Sequence, residues 1–337
     1  MMSWLPDPAV WLPLLFAGLM ALAFLIYAIL DGYDLGVGLL MPLAEPEERD
    51  IMLASIGPFW DANETWLVLG IGLLLIAFPQ AHGMILGALY LPVTLLLIGL
   101  ILRGVAFDFR AKVPASRKAM WDRLFFLGSA LAATSQGFMI GEFILGFSTD
   151  PWAISFSLLS AVCVAAAYAF IGGGWLVMKT TGALQTKVIG WSRKTLWLMM
   201  FGIAAVSIVN PLFSDAILKK WFSLPEAIIL SPIPVLSVVT LLITDYFLTH
   251  YERTRGLADW LPFGAAVLVF FLSFQGLAYS FYPYIVPDVL TIWDGAAATE
   301  SLQFMSYGVL LVFPAIVGYT LFSYRVFWGK AGELTYH

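Results

Sequence analysis

Apolar runs of about twenty residues recur along the whole chain, parted only by short polar segments, and this pattern leaves few folds open. A helix of about 20 apolar residues spans the hydrocarbon core of a bilayer. Nine stretches qualify, at 9–38, 51–78, 82–109, 121–146, 152–179, 194–213, 226–249, 259–282 and 303–328. In lipid each backbone polar group must be satisfied internally, which favours helices over open sheets. Composition agrees: 61% of residues are hydrophobic and 12% charged, with a mean hydropathy of +0.89. A globular domain carries about 25% charged residues. The expected fold is all-α and polytopic, with nine transmembrane helices in a single integral membrane domain over residues 1–337.

The weakest of the nine is 226–249, which Pro232 and Pro234 interrupt; neighbouring helices can satisfy the carbonyls that such prolines free. No stretch between spans is long enough for a separate soluble domain. The first apolar segment lacks a basic flank and a small-residue cleavage site, so it reads as a retained helix rather than a signal peptide. Cys163 is the single cysteine, which excludes an internal disulfide and a cysteine-based metal site. "FWDANE" at 59–64 faintly echoes "IWDGAA" at 292–297, too briefly to count as a repeat.

The basic residues orient the spans. Alternate loops hold Arg49; Arg110, Lys112, Arg117, Lys118 and Arg123; Lys179, Lys187, Arg193 and Lys194; Arg253 and Arg255; and Arg325 with Lys330, which is 14 of the 17. The other loops hold only Lys219 and Lys220, and Arg103 lies within a span. The positive-inside rule places the first set in the cytoplasm, with the N-terminus outside and the C-terminus cytoplasmic.

Ionisable residues inside a membrane cost about 2.5–3.5 kcal/mol each at mid-helix on insertion scales, and their default reading is functional. Asp61 lies ten residues past the expected start of its span at 51, roughly 15 Å at the helical rise and near mid-membrane. Glu64 is one turn deeper on the same face. Asp31 and Asp34 form a second i, i+3 pair near the cytoplasmic end of the first span, and Arg103 and Asp108 lie toward that end of the third. Together the acids read as a ladder from cytoplasm to bilayer centre. Such a ladder suits protons, because a carboxyl group in low dielectric can cycle between its two forms. Structural readings compete. Asp31 and Asp34 stand beside Gly32, Gly36 and Gly38, which permit close helix packing; Glu64 is a candidate hydrogen-bond partner of Asn63 or of a neighbouring helix; Arg103 is most simply the counter-ion of one of these acids or of Asp108. Glu142 falls at an outer helix end, near the surface.

His82, His250 and His337 all fall at helix ends or in the tail, so no bis-histidine haem site in a bundle interior is expected. The 12 methionines and 13 tryptophans read as packing and interfacial residues. There is no phosphate loop, dinucleotide fingerprint, metal-ligand cluster or basic-aromatic nucleic-acid patch. From the residues alone, a stand-alone proton-coupled secondary transporter fits, with the proline-broken 226–249 segment as its substrate site. Against it stand the lack of convincing inverted repeats and the crowding of acids into one half of the membrane. A scaffold for a catalytic partner is a third reading.

Four motifs then carry a resemblance: "DGYDLGVG" at 31–38, "GPFWDANETWL" at 57–67, "LRGVAFDFR" at 102–110 and "YPYIVPDVLTIWDGAAATESL" at 282–302. In this order, from first span to last, they resemble subunit II of the cytochrome bd-type quinol oxidases. Ala62 stands where the family more commonly has glycine, and the short loops look closer to its cyanide-insensitive branch. The resemblance implies two four-helix bundles plus a peripheral ninth helix, in the bacterial cytoplasmic (inner) membrane. It implies a heterodimer with a subunit I that holds all the haems, sometimes a small single-helix accessory subunit, and a complex that oxidises quinol and reduces oxygen to water. No cofactor is assigned to this chain; some members hold a structural quinone in subunit II, which nothing in this sequence places. By the same resemblance Asp61 is the central proton-relay acid, Asp31 and Asp34 form the cytoplasmic mouth, and Trp66 lies near an oxygen path.

Overall fold

The computed structural model describes residues 7–213, 215–254, 256 and 258–331; Arg255 and His337 lie outside them. Helices account for nearly all of it: α1 Pro8–Leu40, α2 Pro46–Ile56, α3 Trp60–Ala77, α4 Pro79–Ala88, α5 Tyr90–Arg110, α6 Ala115–Ile144, α7 Pro151–Lys179, α8 Gly182–Phe213, α9 Asp215–Phe222, α10 Glu226–Leu230, α11 Pro232–Thr249, α12 Tyr251–Thr254, α13 Leu261–Phe281 and α14 Thr299–Val326. A short hairpin, β1 Tyr284–Val286 with β2 Leu290–Thr291, joins the last two. Nine helical segments among the described residues are long and apolar enough to cross a membrane.

Three expected spans are divided. The stretch 51–78 breaks at Gly57, Pro58 and Phe59, so the second span begins at Trp60 rather than at 51. Pro58 has no N–H to continue the helix. What precedes it, α2, is a short charged helix closed by a capping box between Glu45 and Glu48. The stretch 82–109 parts at Leu89 into α4 and α5; Pro92 cannot bond to the carbonyl four residues back, that of Ala88, where α4 stops. Pro232 and Pro234 part α10 from α11 at Ser231 in the same way.

Packing centres on α1, which runs against α3, α6 and α7. Its approach to α7 is a backbone contact. A Cβ added at Gly36 would lie 1.8 Å from the carbonyl oxygen of Tyr168, and one at Gly172 would lie 2.5 Å from the carbonyl carbon of Gly36. Glycine is therefore required at both positions, as in other close membrane crossings. By contrast α14 packs chiefly on α1 along one narrow face. Phe304, Tyr307, Leu310 and Leu311 are 73–77% exposed on its other faces.

The loops sort to two ends of the molecule. At one end, Arg110 donates to Asp50 (2.6 Å) and to Asp122, Arg49 reaches Asp122 (3.1 Å), and Lys118 reaches Asp50 (3.1 Å). Lys187 pairs with Glu48, Lys330 with Asp259, and the Ala331 N–H donates to the Lys179 carbonyl. At the other end Trp293 donates to the Val10 carbonyl, Ala297 to that of Ala77, and Lys220 to that of Ser280. The basic-rich loops thus meet at a single end, as alternating spans require.

Two expectations follow. Gly36→Ala should lower the thermal midpoint in detergent by the equivalent of about 1–3 kcal/mol or prevent accumulation, whereas Gly18→Ala, with nothing within 4 Å of the new Cβ, should leave it unchanged. At the charged end, burial pushes the Asp50 carboxyl up, but hydrogen bonds from Arg110 and Lys118 outweigh burial and hold it below its ordinary value. A group depressed in the fold stabilises it fully above the unfolded value, near 3.9, and loses that contribution as pH falls further. A melting curve taken against pH should therefore lose part of its acid limb in Asp50→Asn.

Candidate buried acid cluster

Helical spacing places Asp31 and Asp34 one turn apart on α1, and both are fully buried. Arg103, in the middle of α5 and 1% exposed, reaches between α1 and α3. Its Nη2 donates to Asp31 Oδ1 at 2.6 Å and also to Glu64 Oε1 in a short contact. One guanidinium thus joins three helices and faces three carboxyl groups. Its removal would strand buried charge, at a cost of about 3–5 kcal/mol for a pair of this kind.

Asp34 is held by Asn63. The Asn63 amide nitrogen donates its two hydrogens to Asp34 Oδ2 (2.8 Å) and the Tyr33 hydroxyl (2.9 Å), one of them shared with the Leu30 carbonyl at 3.3 Å. Its oxygen accepts from Tyr324 of α14 at 3.2 Å, and the hydroxyls of Tyr33 and Tyr324 lie 2.6 Å apart. On the far side, Tyr168 of α7 donates to Gln136 of α6 (2.6 Å), which donates to Tyr27 of α1 (2.9 Å), one turn before Asp31. Asp31 Oδ2, Asp34 Oδ1 and the Nε and Nη1 of Arg103 are buried without a partner among the described residues. Buried polar atoms of this kind are usually satisfied, by protein or by ordered water.

The sequence-derived residues divide accordingly. Asp31, Asp34, Glu64 and Arg103 come together, as one compact cluster rather than a ladder, because Asp31 and Glu64 share a single nitrogen of Arg103. Of the two partners expected for Glu64, the neighbouring helix is the one it meets, through Arg103 of α5, rather than Asn63. Asp61 is not at mid-helix: with α3 starting at Trp60 it stands in the first turn and is exposed, where the helix dipole favours a carboxylate. Asp108 is exposed near the end of α5 and is not a partner of Arg103. Trp66 is 2% exposed, packed with Ala23 and Tyr27 and edge-on to Phe313. Glu142 accepts from Ser157 at 2.9 Å. The roles of Asn63, Tyr33, Tyr324, Gln136, Tyr27 and Tyr168 escaped sequence reasoning. Asn63 does stand inside a motif already singled out, but Tyr324 sits 261 residues away in an apolar helix with no pattern to mark it.

Comparisons with known proteins cover nearly the whole chain. The family model described as cytochrome bd terminal oxidase subunit II matches residues 12–327. Cytochrome bd ubiquinol oxidase subunit 2 of Bacillus subtilis is 27% identical, over 92% of this chain and 94% of that protein. Cytochrome bd-I ubiquinol oxidase subunit 2 of Escherichia coli K12 is 28% identical, over 92% and 91%. Among solved structures, a chain of the bd oxidase from Geobacillus thermodenitrificans superposes with a TM-score of 0.76 at 16% identity, covering 95% of this chain and all of that one, which establishes likeness of fold. With a profile matched from the first span to the last, this chain belongs to the cytochrome bd terminal oxidase subunit II family.

Proposed function

We propose that this chain is the haem-free half of a quinol:oxygen oxidoreductase in the bacterial inner membrane, and that it delivers protons to a haem-bearing subunit I. The complex oxidises quinol and reduces oxygen to water. The N-terminus lies outside and the basic-rich end faces the cytoplasm. Spans one to four and five to eight form the two bundles, with α14 peripheral. Family membership supports the pairing, and the named relatives are ubiquinol oxidase subunits. The observation that carries proton delivery is the Arg103 cluster. Three acids against one guanidinium would leave two uncompensated negative charges if all were ionised, and low dielectric makes that costly. Such a group of acids is built to hold and pass protons.

In this reading Asp31, Asp34 and Glu64 form the buried store beside Arg103. Asp61, exposed on this chain, faces the partner and passes protons across the interface, while Trp66 lies along an oxygen path. Asp108, at the cytoplasmic end, is a surface acid near the uptake side. Oxygen reduction consumes protons, and drawing them from the cytoplasm conserves energy, since each charge moved is worth about 2.3 kcal/mol per 100 mV. A bound structural quinone or an accessory single-helix subunit would belong to the assembled complex and is assigned no residues here.

The test is made on the complex purified through this chain. The wild type should co-purify with a larger haem-bearing subunit, show a reduced-minus-oxidised haem spectrum and take up oxygen with quinol. Asp61→Asn and Asp34→Asn should each assemble with an unchanged spectrum but turn over about tenfold more slowly or worse. Normal turnover in both assembled variants would remove the relay. A chain that remains colourless in native membranes with its partner expressed would remove the oxidase assignment itself.

A further inference from the structure

We propose that Tyr324 of α14 is a positioning residue for proton transfer: through Asn63 it fixes which oxygen of Asp34 carries the exchangeable proton. The inference rests on the proton-delivery reading above. The geometry is a closed ring of three hydrogen bonds. Asn63 Nδ2 donates to the Tyr33 hydroxyl, Tyr33 donates to the Tyr324 hydroxyl, and Tyr324 donates to Asn63 Oδ1. The direction of donation around the ring is set by the Leu30 carbonyl, 3.3 Å from Asn63 Nδ2. A backbone carbonyl only accepts, so the amide must turn its nitrogen toward Leu30 and its oxygen toward Tyr324. Rings that donate in one direction also strengthen one another.

Packing holds the ring members in place. Tyr33 stacks on Trp175 with centroids 4.2 Å apart and meets Phe263 edge-on, and Tyr324 stacks on Phe59 at 4.6 Å. Asn63 is 1% exposed. Of the two amide hydrogens one serves Tyr33 and the other points at Asp34 Oδ2, 2.8 Å away, with the longer Leu30 contact sharing one of them. That oxygen is occupied as an acceptor whatever the charge on the acid. A proton arriving at Asp34 is therefore favoured on Oδ1, the buried oxygen with no partner among the described residues, and leaves from the same atom. The ninth span is otherwise the least embedded of the nine. Its tyrosine thus links the seating of a peripheral helix, through Asn63 of α3, to the aim of an acid on α1.

Tyr324→Phe deletes only the hydroxyl and keeps the stacked ring. In the purified complex it should leave subunit content and haem spectrum unchanged and slow quinol-driven oxygen uptake about fivefold, the scale of one lost hydrogen bond. A second readout is the infrared C=O stretch of protonated Asp34, identified by its loss in Asp34→Asn; the ring requires that this band shift or broaden in Tyr324→Phe. Tyr319→Phe, an exposed tyrosine of the same helix, should move neither. If Asp34→Asn slows turnover while Tyr324→Phe leaves both rate and band unchanged, the positioning role is overturned and the relay stands. If Asp34→Asn and Asp61→Asn both turn over normally, the relay fails and the inference with it.

Discussion

One guanidinium between three helices governs this molecule. Arg103 is almost fully buried and its Nη2 bonds to acids on both α1 and α3, so neither helix can slide against α5 without breaking an ion pair in low dielectric. A buried pair is weak evidence of net stability, since desolvation offsets much of the attraction. A shifted register would leave charge unpaired, which opposes sliding of the three helices. The arrangement that keeps the helices in register also gathers three carboxyl groups in one place. Structure and proposed chemistry therefore draw on the same residues.

Around that centre the chain is held by close packing rather than by hydrophobic burial, which has little force between helices already in lipid. The contact of Gly36 with Tyr168 and Gly172 brings the backbones of α1 and α7 together. This puts Tyr33 beside Trp175 and Tyr27 within reach of Gln136 and, through it, Tyr168. The glycines of "DGYDLGVG" thus let α7 approach the same helix that carries Asp31 and Asp34, both fully buried. The charged end works differently. There Arg49, Arg110 and Lys118 pair with Asp50 and Asp122, anchoring α2 across the loops; the Arg110–Asp122 contact is buried, while water screens the pairs to Asp50 and each of those carries little.

The acids divide by exposure in a way that matters for a subunit. Asp31 and Asp34 face inward, Glu64 is partly covered, and Asp61 is exposed one turn before Glu64. An exposed acid in the first turn of a helix has a sufficient local cause in the helix dipole. Next to a buried cluster it is also where such a cluster would meet a partner. The structure thus places Asp61 in the first turn of α3 at the edge of the buried acids, not at the middle of a helix.

Much of this was legible in the residues. Hydropathy gave nine spans, because burial in lipid demands an apolar run of fixed length whatever the tertiary fold. Loop charge sorted the segments into the two ends at which the structure joins them. The four motifs identified the family, and the same motifs held Asp31, Asp34, Glu64 and Arg103. Helix interruptions were less legible: Pro58 and Pro92 break runs whose hydropathy continues unchanged across them, so the depth assigned to Asp61 was displaced with the start of its helix. Which acid meets Arg103 and which amide holds Asp34 depend on how α1, α3 and α5 rotate about their axes, a quantity set by packing between segments. Tyr324, far along the chain, enters the site only because α14 lies against α1. A sequence records the length and polarity of each helix; the pairing of buried polar atoms is decided by the close approach of helices, since only in the folded interior do those atoms lose water and require one another.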